Sequence, residues 1–118
     1  MEENKTRNYI FNELSKFNFR KETRGFKYLN EAIYLSIVDE NAIENLSKNV
    51  FPIIAKKFHA QSPQNVKWCM NRVIETMYYN TNMKQLCQYF NLEENQKPTL
   101  KFIIYFIVCK YYNDEQSQ

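Results

Sequence analysis

One segment of the sequence, residues 63–79, carries side chains whose types and spacing suit contacts with nucleic-acid bases. If this segment is helical, its apolar residues fall on one face and its polar residues on the other. Asparagine and glutamine can form two hydrogen bonds with adenine, while arginine and lysine can bond guanine. The outward face predicted for this helix holds Gln64, Asn65, Lys67, Trp68, Asn71, Arg72 and Glu75. These side chains indicate hydrogen bonding to bases and phosphates.

The other residues that could do chemistry lack the spacing of a catalytic or metal site. His59 is the only histidine, and it has no suitably spaced partners for zinc binding or for activating a nucleophile. The cysteines, Cys69, Cys87 and Cys109, are odd in number and far apart, which disfavours disulfides and zinc binding. We expect reduced, buried cysteines, a turn at His59, no enzymatic activity, no metal and no cofactor.

The region around the start of this segment has the pattern of a helix-turn-helix. A first helix is predicted at about 53–58, where Ala55 is small enough for two helices to cross. A short break follows at 59–61. Ser62 is a good N-cap, and Pro63 suits the first turn of the second helix. In such a motif the second helix lies in the major groove of DNA.

Two groups of basic residues could meet the phosphates beside such a helix. The first helix of a helix-turn-helix crosses the DNA backbone, so Lys56 and Lys57 are expected to approach phosphates. The alternative is that both are ordinary surface lysines. A basic connector at about residues 19–27 either lies along the duplex or is simply solvated. Its cations are Arg20, Lys21, Arg24 and Lys27.

Apolar residues at helical spacing predict helices in the rest of the chain. The predicted segments are about 6–18, 26–38, 41–46, 83–90 and 100–112. One glycine and three prolines are too few for a many-stranded sandwich or barrel. We therefore expect an all-α fold, a compact bundle of about six helices. It would form a single domain over residues 1–118, with its core at about 7–113.

The C-terminal helix predicted at 100–112 is apolar nearly all round. Such a helix is usually buried centrally or shared with a partner, and we expect both roles in part. Its aromatic side chains spread over more than one face, namely Phe102, Tyr105, Phe106 and Tyr112. The polar tail from residue 113 onward is expected to fray.

The sequence predicts a cytoplasmic protein with no membrane contact. The longest apolar run, residues 102–109, falls well short of the ~20 residues that a membrane span needs. The polar N-terminus has no signal peptide. A net charge of +3 permits an anionic partner without requiring one.

Three blocks of the sequence suggest a family. Residues 25–33 are Gly-Phe-Lys-Tyr-Leu-Asn-Glu-Ala-Ile, residues 51–58 are Phe-Pro-Ile-Ile-Ala-Lys-Lys-Phe, and residues 97–99 are Lys-Pro-Thr. Together they resemble the DNA-binding effector domain of stage zero sporulation protein A, the response-regulator family that governs endospore formation. Matching positions in the recognition helix are Val66, Ile74 and Glu75. The likeness covers roughly residues 7–113.

The resemblance implies a compact domain of about six helices that regulates transcription by binding double-stranded DNA. It implies recognition of boxes of the TGTCGAA type through the helix at 63–79. Tandem copies or a homodimer on DNA would touch through their last helices. By position, the resemblance assigns base and phosphate contacts to Asn65, Lys67, Trp68, Asn71 and Arg72.

The sequence departs from the family pattern in its recognition face and in its length. The family has mostly arginine, glutamate and histidine where this chain has Asn65, Lys67, Trp68 and Asn71, and the preceding turn is one residue longer. Full-length members also carry a receiver domain upstream, which 118 residues cannot include. The chain is therefore expected to be either an excised fragment or a free-standing effector.

The altered face leaves an alternative function open. A degenerate helix-turn-helix could serve as a protein–protein interaction module, with Trp68 and the last helix mediating association. Trp68 itself has two interpretations. It contacts a thymine methyl or the sugar-phosphate backbone, or it packs against a neighbouring helix as large aromatic side chains usually do.

Overall fold

The computed structural model of the chain describes residues 2–116, and this part is helical with no strand. Its α-helices are α1 (Glu2–Leu14), α2 (Arg24–Val38), α3 (Leu46–Asn49), α4 (Phe51–Lys57), α5 (Pro63–Asn80), α6 (Met83–Phe90) and α7 (Leu100–Gln116). A 3₁₀ helix, Ala42–Asn45, precedes α3. The predicted all-α class is confirmed. None of these helices is both long and apolar enough to cross a membrane.

Helix α2 is the centre of the bundle. It packs against α1, α4, α5 and α7, and its most extensive contact is with α5. Leu29, Ala32 and Ile33 have no exposed surface, because residues three and four positions apart lie on the same side of a helix. The position of α5 is therefore set mainly by its packing on α2.

Gly25 brings the backbones of α2 and α5 into contact. A Cβ atom at this position would lie 2.3 Å from the carbonyl oxygen of Cys69 and 2.9 Å from its carbonyl carbon. Only glycine fits such an approach. The sequence prediction placed Gly25 in a connector, which was wrong. Helix α2 begins at Arg24 because Thr23 caps it, accepting a hydrogen bond from the Phe26 amide at 3.3 Å.

Helix α1 lies about four residues earlier in the chain than the predicted 6–18. The helical spacing of apolar residues continues to Phe17, so the sequence analysis extended the predicted helix beyond Leu14. In the structure Phe17 has left the helix and is buried, with its ring stacked on Phe90 of α6 at 5.2 Å between centroids. The apolar position at Phe17 is therefore used for a long-range packing contact outside α1.

The segment predicted as a helix at 41–46 is mostly the 3₁₀ helix Ala42–Asn45, and α3 begins only at its last residue, Leu46. Asn45 has a non-helical backbone, with φ −146° and ψ 87°, and its side chain accepts a hydrogen bond from the Lys48 amide at 3.2 Å. It therefore ends the 3₁₀ helix and caps α3. Helix α6 has the predicted bounds, and α5 extends one residue past the predicted end at 79.

Helix α7 is a core helix that extends to Gln116, beyond the predicted 112. The Tyr9 hydroxyl donates to the Asp114 carboxylate at 2.6 Å. Burial, reinforced by this carboxylate, raises the pKa of Tyr9. Residues 113–116, which were expected to fray, are therefore helical, while residues 117–118 of that predicted tail lie outside the described residues.

The aromatic side chains of α7 cover several of its faces, as predicted. Phe102 and Phe106 are partly buried against Phe90 of α6. Tyr105 is 57% exposed and Tyr112 is 42% exposed. The buried face of this helix consists of Leu100, Ile103, Ile104, Ile107 and Val108. The bundle thus covers most of α7 but leaves the Tyr105 side in solvent.

Gly25→Ala is expected to lower the free energy of unfolding by about 1–3 kcal/mol, the usual cost of overpacking. At an unconstrained helix position the same change would raise stability by about 1 kcal/mol, so the sign of the effect tests the helix contact. Urea denaturation followed by circular dichroism measures it. The control is Lys27→Ala on the exposed side of α2, expected within about 0.5 kcal/mol of wild type. A Gly25→Ala variant as stable as wild type would contradict the close approach.

Candidate nucleic-acid interface

The turn between α4 and α5 is formed by the residues from which the sequence analysis predicted it. The Ala60 amide donates to the Ala55 carbonyl at 2.9 Å after α4 ends. His59 has φ 56°, a left-handed conformation that suits a turn. Ser62 then caps α5 by accepting a hydrogen bond from the Asn65 amide at 3.1 Å, with Pro63 in the first turn. The predicted roles of His59, Ser62 and Pro63 are confirmed.

Helix α5 separates its apolar and polar residues onto opposite faces. The inward face is Val66, Met70, Val73, Ile74 and Met77, all buried. The outward face holds the exposed side chains of Gln64, Lys67, Trp68, Asn71, Arg72 and Glu75. Asn65 differs from these residues because it is half-buried at the edge of the face, where the Cys69 thiol lies 3.9 Å from its Oδ1. The candidate base-reading residues thus share one surface, with Asn65 at its margin.

Trp68 and Arg72 form a pair on this surface. The indole is 59% exposed, and the Arg72 guanidinium carbon lies 5.4 Å from the ring centroid. This distance is within the range of a cation–π contact. A ring that is more than half exposed is not buried between helices, which disfavours the interpretation that Trp68 packs against a neighbouring helix.

A groove of about 360 Å³ runs along the Trp68 side of α5, and we call it the arginine groove. One wall comes from the connector and the first turn of α2, and the other comes from α5. Its polar and aromatic lining consists of Arg20, Thr23, Arg24, Trp68, Arg72 and Thr76. The structure therefore places part of the basic connector beside the candidate reading face.

A second cleft, of about 390 Å³, borders the opposite side of α5. It is lined by Lys67 and Asn71 from α5 and by Lys101 from the first turn of α7. Other polar residues in this cleft are Glu44, Asn45, Ser47 and Thr99. The sequence analysis missed Lys101, although its place two residues after the Lys-Pro-Thr block was a usable signal. Both flanks of the reading face therefore carry cations.

Lys97 binds the C-terminal part of the α5 face. Its ammonium group lies 3.5 Å from the Glu75 carboxylate and 5.2 Å from the ring centroid of Tyr79. The next two residues direct the chain into α7, since Pro98 is buried and the Thr99 hydroxyl accepts a hydrogen bond from the Phe102 amide at 3.1 Å. Glu75 thus has a cation partner, which reduces its repulsion of any nearby phosphate.

The two lysines of α4 have different surroundings. Lys57 donates to the buried Glu31 carboxylate at 3.1 Å, and Arg7 of α1 donates to the same group at 2.8 Å. Burial favours a higher pKa for Glu31, but the hydrogen bonds from Arg7 and Lys57 outweigh burial and lower it. Lys56 is exposed and has no ion pair within residues 2–116. Lys57 therefore ties α4 to α1 and α2, whereas Lys56 stays available to a ligand.

The cysteines are free but not fully buried. Cys69, Cys87 and Cys109 are each partly exposed, so the prediction of buried cysteines was wrong in that respect. Cys69 lies at the edge of the α5 face, and Cys87 lies within α6 with its thiol 3.6 Å from the Glu93 carbonyl oxygen. Among residues 2–116, no three His, Cys, Asp or Glu side chains are grouped to hold a metal ion.

Comparison with protein families identifies the same range of the chain. The family model described as "Sporulation initiation factor Spo0A C terminal" matches residues 10–111. The matched range includes the arginine groove, the helix-turn-helix region and most of α7. It also includes every residue named above on the outward face of α5.

Glu31→Gln is expected to lower the free energy of unfolding by roughly 3 kcal/mol, at the low end for a broken buried ion pair. The cost is moderate because Arg7 and Lys57 keep partial access to water, at 31% and 48% exposure of their side chains. Urea denaturation at neutral pH measures the change. The control is Glu3→Gln, which breaks only an exposed pair with Arg7 and should cost less than about 1 kcal/mol. Equal effects of the two variants would contradict the assigned network.

The lowered pKa of Glu31 also predicts a pH dependence. In the unfolded chain a glutamate titrates near ~4.3, and in the folded protein Glu31 titrates lower. Its stabilisation is therefore complete above about pH 4.3 and is lost as the pH falls through the folded pKa. Wild type should lose unfolding free energy more steeply than Glu31→Gln below about pH 4.3. Parallel curves for the two proteins would show that Glu31 does not carry this charge.

Proposed function

Because the chain belongs to the family of Spo0A C-terminal domains, which are DNA-binding effector domains, we propose that it is a sequence-specific transcription regulator. The observation that carries the proposal is the outward face of α5, where polar, cationic and aromatic side chains are exposed on a helix whose other face is anchored in the core. Base readout needs both features, since the side chains must reach base edges from a rigid support.

In the proposed complex the N-terminal half of α5 lies in the major groove of double-stranded DNA. Gln64 and Asn71 bond adenine edges, and Lys67 and Arg72 bond guanine edges or phosphates. Trp68 lies between them and contacts a thymine methyl or the sugar-phosphate backbone. Asn65 contributes from the margin of the face, because its half-buried side chain has less reach.

Backbone contacts from α4 are proposed to come from Lys56. The sequence analysis named Lys57 as well, but the Lys57 ammonium group is bound to Glu31, and moving it to a phosphate would leave that buried carboxylate with one cation fewer. The structural role of Lys57 therefore competes with a DNA contact. Lys101 on the other side of α5 is a further candidate for a phosphate, since it lines the same cleft as Lys67.

The target sequence is proposed to differ from the TGTCGAA box that the family resemblance implies. The face presents asparagine, lysine and tryptophan where the family has mostly arginine, glutamate and histidine. Each mismatched base contact costs about 1–3 kcal/mol, so several altered side chains can change the preferred site while the docking of α5 is kept.

Contact between copies through α7 stays a prediction. Tyr105 is the exposed aromatic side chain that could serve it.

A protein–protein interaction module is the second candidate function. The exposure of Trp68, at 59%, and of Tyr105, at 57%, favours it, since aromatic residues are enriched at protein interfaces. The cations on both flanks of α5 favour DNA instead, because charged residues are depleted from the cores of protein interfaces. The two candidates differ in whether the protein binds a duplex at physiological salt.

Arg72→Ala is expected to weaken DNA binding by about 1–3 kcal/mol, or about 5- to 150-fold, if Arg72 bonds a base edge. Fluorescence anisotropy with two labelled duplexes, one containing TGTCGAA and one scrambled, measures the loss across a salt series. The charge-matched control is Lys5→Ala, since Lys5 lines a cleft between α1 and α7 that no α5 residue reaches. Lys5→Ala should bind as wild type does.

Three outcomes for the wild-type protein and one for the variant are informative. Unequal wild-type affinities for the two duplexes would support sequence-specific binding, but a preference for TGTCGAA would contradict the proposed change of target sequence. Equal and steeply salt-dependent binding would indicate a DNA binder with another target, to be found by selection from random sequence. No binding at low salt would contradict the proposal and favour the interaction module. Wild-type affinity in the Arg72→Ala variant would show that Arg72 makes no contact with a base edge.

A further inference from the structure

We infer that the arginine groove is a phosphate-binding site that holds one strand of the DNA backbone beside α5. The inference rests on the proposed function and extends it to the connector and the first turn of α2, which lie outside the helix-turn-helix. The ligand is a phosphodiester of the same duplex whose bases face α5. The residues assigned to it are Arg20, Arg24 and Arg72.

The charge of the groove is the first reason. Three guanidinium groups line it, and no acidic residue is among its lining residues. Arg20 and Arg24 are exposed, and neither has a carboxylate partner within residues 2–116. Of the four arginines in the sequence, only Arg7 is paired with a carboxylate within residues 2–116. The unpaired arginines are therefore concentrated where an anion could approach.

The backbone around Thr23 holds two of these arginines in place. The Thr23 hydroxyl donates to the Arg20 carbonyl at 2.7 Å and accepts a hydrogen bond from the Phe26 amide at 3.3 Å. Arg20 and Arg24 are therefore anchored on either side of one capped turn. Helix α2 also begins here, and its first-turn amides and dipole favour an anion in addition to the three guanidinium groups.

The position of the groove matches where DNA phosphates would lie. The major groove is about 12 Å wide and an α-helix with its side chains is about 10–12 Å across, so a docked helix has a phosphate backbone on each side. The arginine groove borders the Trp68 and Arg72 side of α5, and the cleft containing Lys67 and Lys101 borders the other. Docking α5 would therefore bring one strand of the backbone to Arg20 and Arg24.

The test compares the salt dependence of DNA binding in wild type, in Arg20→Gln/Arg24→Gln and in the control Lys5→Gln/Lys84→Gln. The control removes the same charge from exposed lysines on α1 and α6. Each phosphate contact contributes about 0.9 to the slope of log K against log salt. The arginine variant should therefore lose about 1.8 from that slope. It should also lose the same factor in affinity on the box and scrambled duplexes, because phosphates carry no sequence information.

A slope unchanged in the arginine variant, or lowered equally in the control, would overturn the inference while leaving the proposed function intact. Absence of wild-type binding to either duplex would overturn both. The variant Arg20→Lys/Arg24→Lys distinguishes loss of charge from loss of fold. It keeps both charges and should therefore keep most of the slope of log K against log salt. The fluorescence of Trp68, the only tryptophan, reports the groove directly. Inorganic phosphate would instead be the ligand of the groove only if two results coincide. It would quench the Trp68 fluorescence saturably at constant ionic strength, and the arginine variant would keep the wild-type salt slope of DNA binding.

Discussion

The backbone contact between Gly25 and Cys69 is the constraint on which the rest of the interface depends. It sets how closely α5 lies on α2, and it does so directly behind the outward face of α5. The same contact brings Arg24, the neighbour of Gly25, beside Trp68 and Arg72. A bulkier residue would separate the two walls of the arginine groove as well as the two helices. One glycine thus determines both core packing and the spacing of surface cations.

Electrostatics divides the cations of the chain into two groups with different roles. Buried Glu31 binds Arg7 and Lys57, and this joins α1, α2 and α4 at one point. Such a carboxylate is stable in the core only while its partners stay in place. Helix α4 is therefore held in position before any DNA is present. The cations beside α5 have no comparable partners, so their charge can act on a ligand.

The sequence was sufficient to predict the parts of the interface whose structure depends on residues close together in the chain. Ser62 and Pro63 mark the start of α5, and helical periodicity assigns its two faces, because capping and amphipathicity act over a few residues. The ion pair of Lys57 with Glu31 and the position of Arg20 beside Arg72 could not be predicted in this way. Each depends on residues far apart in the chain, brought together by the packing of α2. Phe17 shows the same limit, since it stacks on Phe90 of α6 and lies outside α1.

The positions that carry the family resemblance and the positions that would read DNA have different structural roles. Residues 25–33 form the close approach to α5, residues 51–58 form α4, and residues 97–99 bind Glu75 and cap α7. Changing them disturbs the support of α5. Lys67, Asn71 and Trp68, in contrast, are exposed. Substitution there costs the fold little, which explains how a chain can keep the family's scaffold while its reading face diverges.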